Sequence, residues 1–355
     1  MYDEVKPIEQ RPRSGTFKLV GDRGRMSLRV IWVDKTSVIP EFAKGSVLSI
    51  GKFDGVHLGH LKLAKTARFL AEKHQTRAIA VTFDPSPVVV LSPGSPIPLP
   101  LTPLDRKVEL LKQSGFDQVA VFQTGAWLLD LGAREFFDEI IRNRFQALGL
   151  VEGPDFSFGK GRAGRASDLC KWCCESGLIF KEVPPVEMEG AWITSSRIRK
   201  LLDQGELLLT NQLMGHALVT RGLVVKGAGR GRTIEIPTAN LDQLDTILPA
   251  PGVYAASARV VGNAGIKDTE FPAAINIGLQ PTFESFVKQI EVHMIGFEDQ
   301  DLYGSTLEVK WLSRIRETQR FDSVAKLMAQ IREDIKSCKA VHDSQVILNK
   351  GVINL

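Results

Sequence analysis

Residues 45–50 (Gly-Ser-Val-Leu-Ser-Ile) and 78–83 are short apolar runs, and the stretch 57–73 between them repeats its apolar positions at helical spacing. Strand, helix and strand within so short a span have one common solution, the βαβ unit. It requires a parallel sheet and puts a ligand site at the carboxyl ends of the strands. The alternation continues, with strands expected at 118–122 and 179–183 and helices at 133–144 and 168–176. A helix predicted over 195–204 stops at Gly205, a residue that tolerates the left-handed conformation at a helix end. After about Asn211 the pattern changes to short runs at 217–225, 253–261, 271–277, 289–295 and 306–312, separated by Gly, Pro and Asp turns. Repeated strands without intervening helices predict a small sandwich or barrel, and residues 323–336 predict a terminal helix. The chain thus divides near residues 205–215, and its 355 residues suit two domains.

Composition narrows the function classes. Lys plus Arg number 45 against 41 Asp plus Glu, a net charge of +4, too balanced for a chain-wide nucleic-acid binder. No run approaches the roughly 18 apolar residues of a membrane helix, so neither nucleic acid nor membrane is expected as a partner. The first 25 residues lack the apolar core of a signal peptide and read as a flexible arm, with the cytoplasm as the expected compartment. Seven prolines between residues 85 and 103 predict an extended loop. Of four cysteines, three crowd into residues 170–174; zinc would need a second ligand pair and Cys338 is distant, so free thiols are expected.

The string Gly51-Lys52-Phe53-Asp54-Gly55-Val56-His57-Leu58-Gly59-His60 sits where the first strand turns into a helix. Three-residue spacing puts His57 and His60 on one face of the first turn, beside unpaired backbone N–H groups, a geometry suited to anions. Adenylyl transfer needs an aligned triphosphate and stabilisation of charge on the α-phosphate rather than covalent help. Gly59 is expected to let the chain approach a nucleotide. Thr194-Ser195-Ser196-Arg197-Ile198-Arg199 opens a helix with hydroxyls followed by guanidinium groups, apt for phosphates. The loop 153–164, with Asp155 and Phe158, interleaves glycine and aromatics in a way that suits a flat ligand.

In the second half, Gly227-Ala228-Gly229-Arg230-Gly231-Arg232 could surround phosphates with backbone amides. Thr238 and Asn240 offer hard oxygen donors for a phosphate-bound Mg²⁺. Alternation puts Glu291 and His293 on the face opposite Val292 and Met294, where a carboxylate could take a proton from an attacking hydroxyl or merely be solvated.

Together these motifs resemble the prokaryotic bifunctional riboflavin kinase/FAD synthetases. Residues 51–60, 82–85 (Thr-Phe-Asp-Pro), 155–164 and 195–199 are similar to the adenylyltransferase motifs, and 237–240 (Pro-Thr-Ala-Asn), 276–278, 281–283, 291–293 and 301–304 to those of the kinase. The resemblance implies a Rossmann-like α/β nucleotidyltransferase domain joined to a six-stranded antiparallel β-barrel with a C-terminal helix. It places an arm at 1–25, the FMN adenylyltransferase at 26–206, the kinase at 207–342 and a tail at 343–355. Riboflavin and ATP would give FMN, and FMN with a second ATP would give FAD and pyrophosphate, with ATP as co-substrate and Mg²⁺ as cofactor. Glu291 would be the kinase base. Thr238 and Asn240 would hold Mg²⁺ and phosphates, with Gly227, Gly229, Arg230 and Gly231 around the nucleotide. His57, His60 and Arg197 would act in adenylyl transfer; Gly51, Phe53, Asp54, Gly59, Ser195 and Ser196 would bind the nucleotide, and Asp155 and Phe158 the flavin. Lys52, Ala228, Ile236 and Gln280 depart from the family pattern, three of them in the kinase half. Alternatives are an FAD synthetase whose kinase module survives only as a flavin-binding domain, and a non-catalytic flavin or nucleotide regulator; association into a homo-oligomer stays open.

Overall fold

The computed structural model describes residues 17–20, 28–92, 94, 99–227, 236–262, 269–281, 286–298 and 301–352. Seven strands form the first sheet: β1 (Phe17–Val20), β2 (Leu28–Val33), β3 (Val47–Ile50), β4 (Ala78–Asp84), β5 (Gln118–Gln123), β6 (Gly149–Glu152) and β7 (Ile179–Glu182), in the order β1-β2-β5-β4-β3-β6-β7. All neighbours run parallel except β1 with β2. The order reverses at β3, which opens a crevice at the carboxyl ends of β3 and β6. Helices cover both faces. On one, Ala64, Ala67 and Ala71 of α1 (Leu58–Lys73) and Val108 and Leu111 of α2 (Leu104–Gln113) meet Val47, Ala78 and Ala80. On the other, Phe137, Ile140 and Ile141, with Leu169 and Cys173 of α3 (Ala166–Ser176), meet Leu48, Ile50 and Val81. Burial on both faces is why these strands read as unbroken apolar runs.

Helix α4 (Ser195–Gln204) ends at Gly205, at φ 80°, and α5 (Leu207–Met214) follows. Six antiparallel strands then close a barrel: β8 (Val219–Val225), β9 (Ala239–Asp242), β10 (Gly252–Val261), β11 (Phe271–Pro281), β12 (Phe286–Met294) and β13 (Thr306–Arg316), in the order β8-β9-β12-β11-β10-β13. Helix α6 (Val324–Val352) lies against β10, β11 and β13, fixed by Arg316 on Asp334 at 2.8 Å. One apolar cluster runs from the barrel interior through Leu207 and Met214 to Leu101, Ile193, Ile198 and Leu202, so the two halves share a core. Arg221 bridges them as well, pairing with Asp105 of α2 and Glu308 of β13.

The α/β sheet and the six-stranded barrel are the expected fold classes, with local corrections. Within the expected arm, Phe17–Val20 forms an edge strand, because pairing with β2 satisfies backbone groups that the sheet edge would otherwise leave open. Inside the proline-rich loop, Pro87–Leu91 is a short helix with Pro87 in its first turn, where proline lacks no needed donor. The segment expected as a helix from 133 to 144 becomes a π-helix over Phe137–Arg144. The terminal helix continues to Val352 rather than ending near 336, so most of the expected tail is helical.

Candidate active sites

The crevice of the parallel sheet is shaped by a strained turn. After β3, Phe53 (φ 47°) and Val56 (φ 39°) occupy the left-handed region that bulky and β-branched residues avoid. Surrounding contacts hold them there. The Phe53 ring is buried and packs on Gly51, where a Cβ would come within 3.3 Å of it. Asp54 accepts from the Leu101 N–H at 2.8 Å and from Arg199 Nη2 at 2.6 Å, and its carbonyl accepts from Ser195 Oγ at 2.8 Å. Expected at the nucleotide, the side chains of Phe53 and Asp54 instead clamp the turn, since ring and carboxylate are already engaged.

His57 caps α1 and is 6% exposed, and the His57 and His60 rings stack at 3.7 Å. His60 Nδ1 accepts from the His57 N–H at 3.2 Å, which puts the His60 proton on Nε2. A Cβ at Gly59 would lie 3.0 Å from the His57 ring, so glycine there makes room for the imidazole. Burial lowers the His57 pKa to about 4 and holds His60 well below the ordinary imidazole value, with His57 and Lys107 adding to the effect. Both are uncharged hydrogen-bonding groups at neutral pH. His57 Nδ1 is buried without a hydrogen-bond partner among the described residues, the condition that a bound ligand relieves.

The remaining candidates divide. Thr194 Oγ1 accepts from the Arg197 N–H at 3.1 Å and caps α4, while Ser196 is exposed beside it. Arg197, expected in catalysis, turns its Nη1 to the carbonyls of Met188 (2.9 Å) and Ala191 (2.7 Å), because the hairpin of Glu187–Met188 and Ala191–Trp192 presents those acceptors. Asp155 is exposed on the loop after β6. Phe158, expected against flavin, has its ring buried among its near neighbour Phe156 and the more distant Phe136 and Trp172. Two residues escaped sequence reasoning. Glu152, ending β6, accepts from the Ile50 N–H at 2.6 Å, and burial raises its carboxyl pKa well above the usual range. Lys107 of α2 is 9% exposed, and its Nζ makes no hydrogen bond or ion pair among the described residues. Burial lowers its pKa against the opposing charges of Asp54 and Asp84. A lone charge in a helix or at a strand end carries no pattern to mark it.

The second cluster lies on the outer face of the barrel. Val292 and Met294 point into the core, while Glu291 stands opposite Asn240 on β9 and Asn276 on β11 in the strand register. Asn276 Nδ2 donates to Glu291 Oε2 at 3.4 Å, Gln289 Nε2 donates to Asn240 Oδ1 at 2.9 Å, and His293 Nδ1 meets the Pro237 carbonyl at 2.8 Å. A Cβ on Gly227 would lie 2.0 Å from Asn240 Nδ2, so the chain leaving β8 covers this amide only because residue 227 is glycine. The Thr238 hydroxyl and the second lone pair of Asn240 Oδ1 form a hard-oxygen donor set that fits Mg²⁺. Gly229, Arg230 and Gly231 fall outside the described residues, as does the side chain of Gln280.

Among the described residues there is no cluster of three metal-ligating side chains, and the four cysteines are free, with the Cys173 thiol pushed up to about 12 by burial. A cavity of about 680 Å³ lies between α2, α5 and the barrel, bordered by Arg106, His216, Arg259 and Glu308; no candidate site residue lines it.

A parallel sheet with stacked histidines at its reversal point, joined to a barrel bearing a carboxylate beside hard oxygen donors, defines a two-domain transferase acting on nucleotides. Residues 39–197 match the FAD synthetase family model and residues 214–342 the riboflavin kinase model. The bifunctional riboflavin kinase/FMN adenylyltransferase of Listeria monocytogenes is 33% identical over 299 residues, covering 83% of this chain and 91% of that protein. That of Bacillus subtilis is 33% identical over 301 residues, covering 84% and 92%. This chain belongs to the bifunctional riboflavin kinase/FMN adenylyltransferase family. A Streptococcus pneumoniae crystal structure, described as a macrolide-efflux protein, shares the fold with TM-score 0.77 and 32% identity, over 87% of this chain and 99% of that one. No helix among the described residues of the present chain is long and apolar enough to cross a membrane.

Proposed function

We propose that the chain makes FAD from riboflavin by two ATP-dependent transfers on separate surfaces, the α/β half spanning 26–206 and the kinase half 207–342. In the barrel, Glu291 takes the proton of the ribityl hydroxyl as its oxygen attacks the γ-phosphorus, and the bond to the β-phosphate oxygen breaks to release ADP. Thr238 and Asn240 would hold Mg²⁺, which supplies neutralisation of phosphate charge. In the sheet crevice a phosphate oxygen of FMN attacks the α-phosphorus of ATP and pyrophosphate leaves with the bonding electrons; no proton need be removed. His60 Nε2–H would donate to the α-phosphate, and the unpartnered Nδ1 of His57 offers that imidazole a further point of contact. Ser195 and Ser196 would meet the remaining phosphates from the start of α4, and the exposed Asp155 would contact FMN. Soluble substrates of this kind suit a cytoplasmic enzyme.

The observation that carries the reading is that each half holds its own cluster, so both activities have separate equipment. The test is chromatography of products from riboflavin, ATP and Mg²⁺: FMN and FAD are expected in succession. FAD from supplied FMN with no FMN from riboflavin would select the reading in which the kinase half only binds flavin.

A further inference from the structure

Apart from the exposed Lys52, the crevice is short of positive charge. A triphosphate carries several negative charges, yet His57 and His60 are held neutral, Arg199 is paired with Asp54 at 2.6 Å, and Arg197 faces hairpin carbonyls. Lys107 is the buried cation left without a partner among the described residues. Its placement follows from the chain: α2 begins three residues after Leu101, whose N–H Asp54 holds at 2.8 Å, and the charges felt there are those of Lys52 and Asp54 from the turn after β3 and Asp84 from the end of β4. All belong to the carboxyl edge of the sheet where the nucleotide site opens.

Apart from the charges of Asp54 and Asp84, which it meets through no ion pair among the described residues, the fold gives a lysine there little reward. It occupies the first turn and a half of α2, whose dipole disfavours cations, and its neighbour Arg106 is at least paired with Glu109 at 2.9 Å. Burying an unpaired ammonium also costs stability, and a methionine would fill the same stem volume without that cost. A desolvated cation that makes no hydrogen bond or ion pair among the described residues and lies beside a polyanion site fits a functional role.

We propose that Lys107 is the cation that meets the ATP triphosphate during adenylyl transfer, a role that rests on the function proposed above. Neutral histidines then supply directed hydrogen bonds and Lys107 the charge.

The test compares Lys107→Met and Lys107→Arg with the parent, following FAD formation from FMN, FMN formation from riboflavin, inhibition by inorganic pyrophosphate, and thermal midpoint. In Lys107→Met, kcat/KM for ATP in FAD formation is expected to fall by about 100-fold, mainly through KM, with weakened pyrophosphate inhibition. FMN formation should stay within twofold and the thermal midpoint should not fall. Lys107→Arg should regain at least tenfold of the loss. FAD formation by Lys107→Met within threefold of the parent overturns the proposal, and so does an equal loss of both activities, which would mark a structural role. A parent that makes no FAD overturns the underlying reading instead, and is seen before any variant is tested.

Discussion

On the proposed reading the two clusters answer one problem, activating phosphate chemistry, by opposite means. In the sheet crevice the polar groups are buried, the backbone at Phe53 and Val56 is strained, and charge is suppressed on the histidines. On the barrel, Glu291, Asn276 and Gln289 stand on regular strands and reach one another sideways across the register, with no strained backbone on β12 or β9. The first site is held by burial and clamping; the second depends on the close approach of Gly227 to Asn240. In the first a locally marked turn is clamped by distant Leu101, Ser195 and Arg199, whereas the second rests wholly on alignment of strands about 50 residues apart, as for Asn240 and Glu291.

The sharpest break between the sites is a pair of variants. His57→Ala is expected to lower FAD formation by about 10³-fold and leave FMN formation intact, while Glu291→Ala lowers FMN formation by a similar factor and still makes FAD from supplied FMN. Loss of both products in both variants would erase the comparison. Next, Gly227→Ala drives Asn240 from its place, and kinase kcat/KM should drop on the order of 10²-fold with adenylyl transfer unchanged.

Acid sharpens the contrast in stability. An unfolded His57 takes up its proton near 6.5, the folded one only near 4, so its contribution is complete above pH 6.5 and is lost as pH falls toward 4. The loss is about 3 kcal/mol, and His60 adds in the same direction. Urea midpoints at pH 7 and 4.5 should show His57→Gln with a clearly flatter decline; an unchanged slope would assign the acid sensitivity elsewhere. The smallest effect expected is at Gln280, where Gln280→Arg should change kinase KM by roughly fivefold through an added guanidinium.

Much of the first half was legible because its strands are apolar on both faces and its helix starts carry hydroxyl, histidine and glycine signals. The pair His57 and His60 was visible for the same reason, three-residue spacing at a strand-to-helix turn. β9 was not, since Ala-Asn-Leu-Asp has no β-branched residue and owes its conformation to pairing with β8 and β12. The contacts of Phe158 and Arg197, with Trp172 and the hairpin carbonyls, were not legible because those partners are fixed by tertiary structure. Lys107 was invisible since nothing in its neighbourhood along the chain distinguishes it from a solvated lysine.

Leu101 belongs to both halves at once. Its N–H donates to Asp54, its side chain sits 3.1 Å from where a Cβ on Gly55 would be, and it lies in the apolar cluster that fills the barrel. In the language of complementation, an extract lacking only the His57 function and one lacking only the Glu291 function should rescue each other when mixed, because free FMN can pass between molecules. A lesion at Leu101 should complement neither fully, since it touches structure that the two catalysts hold in common.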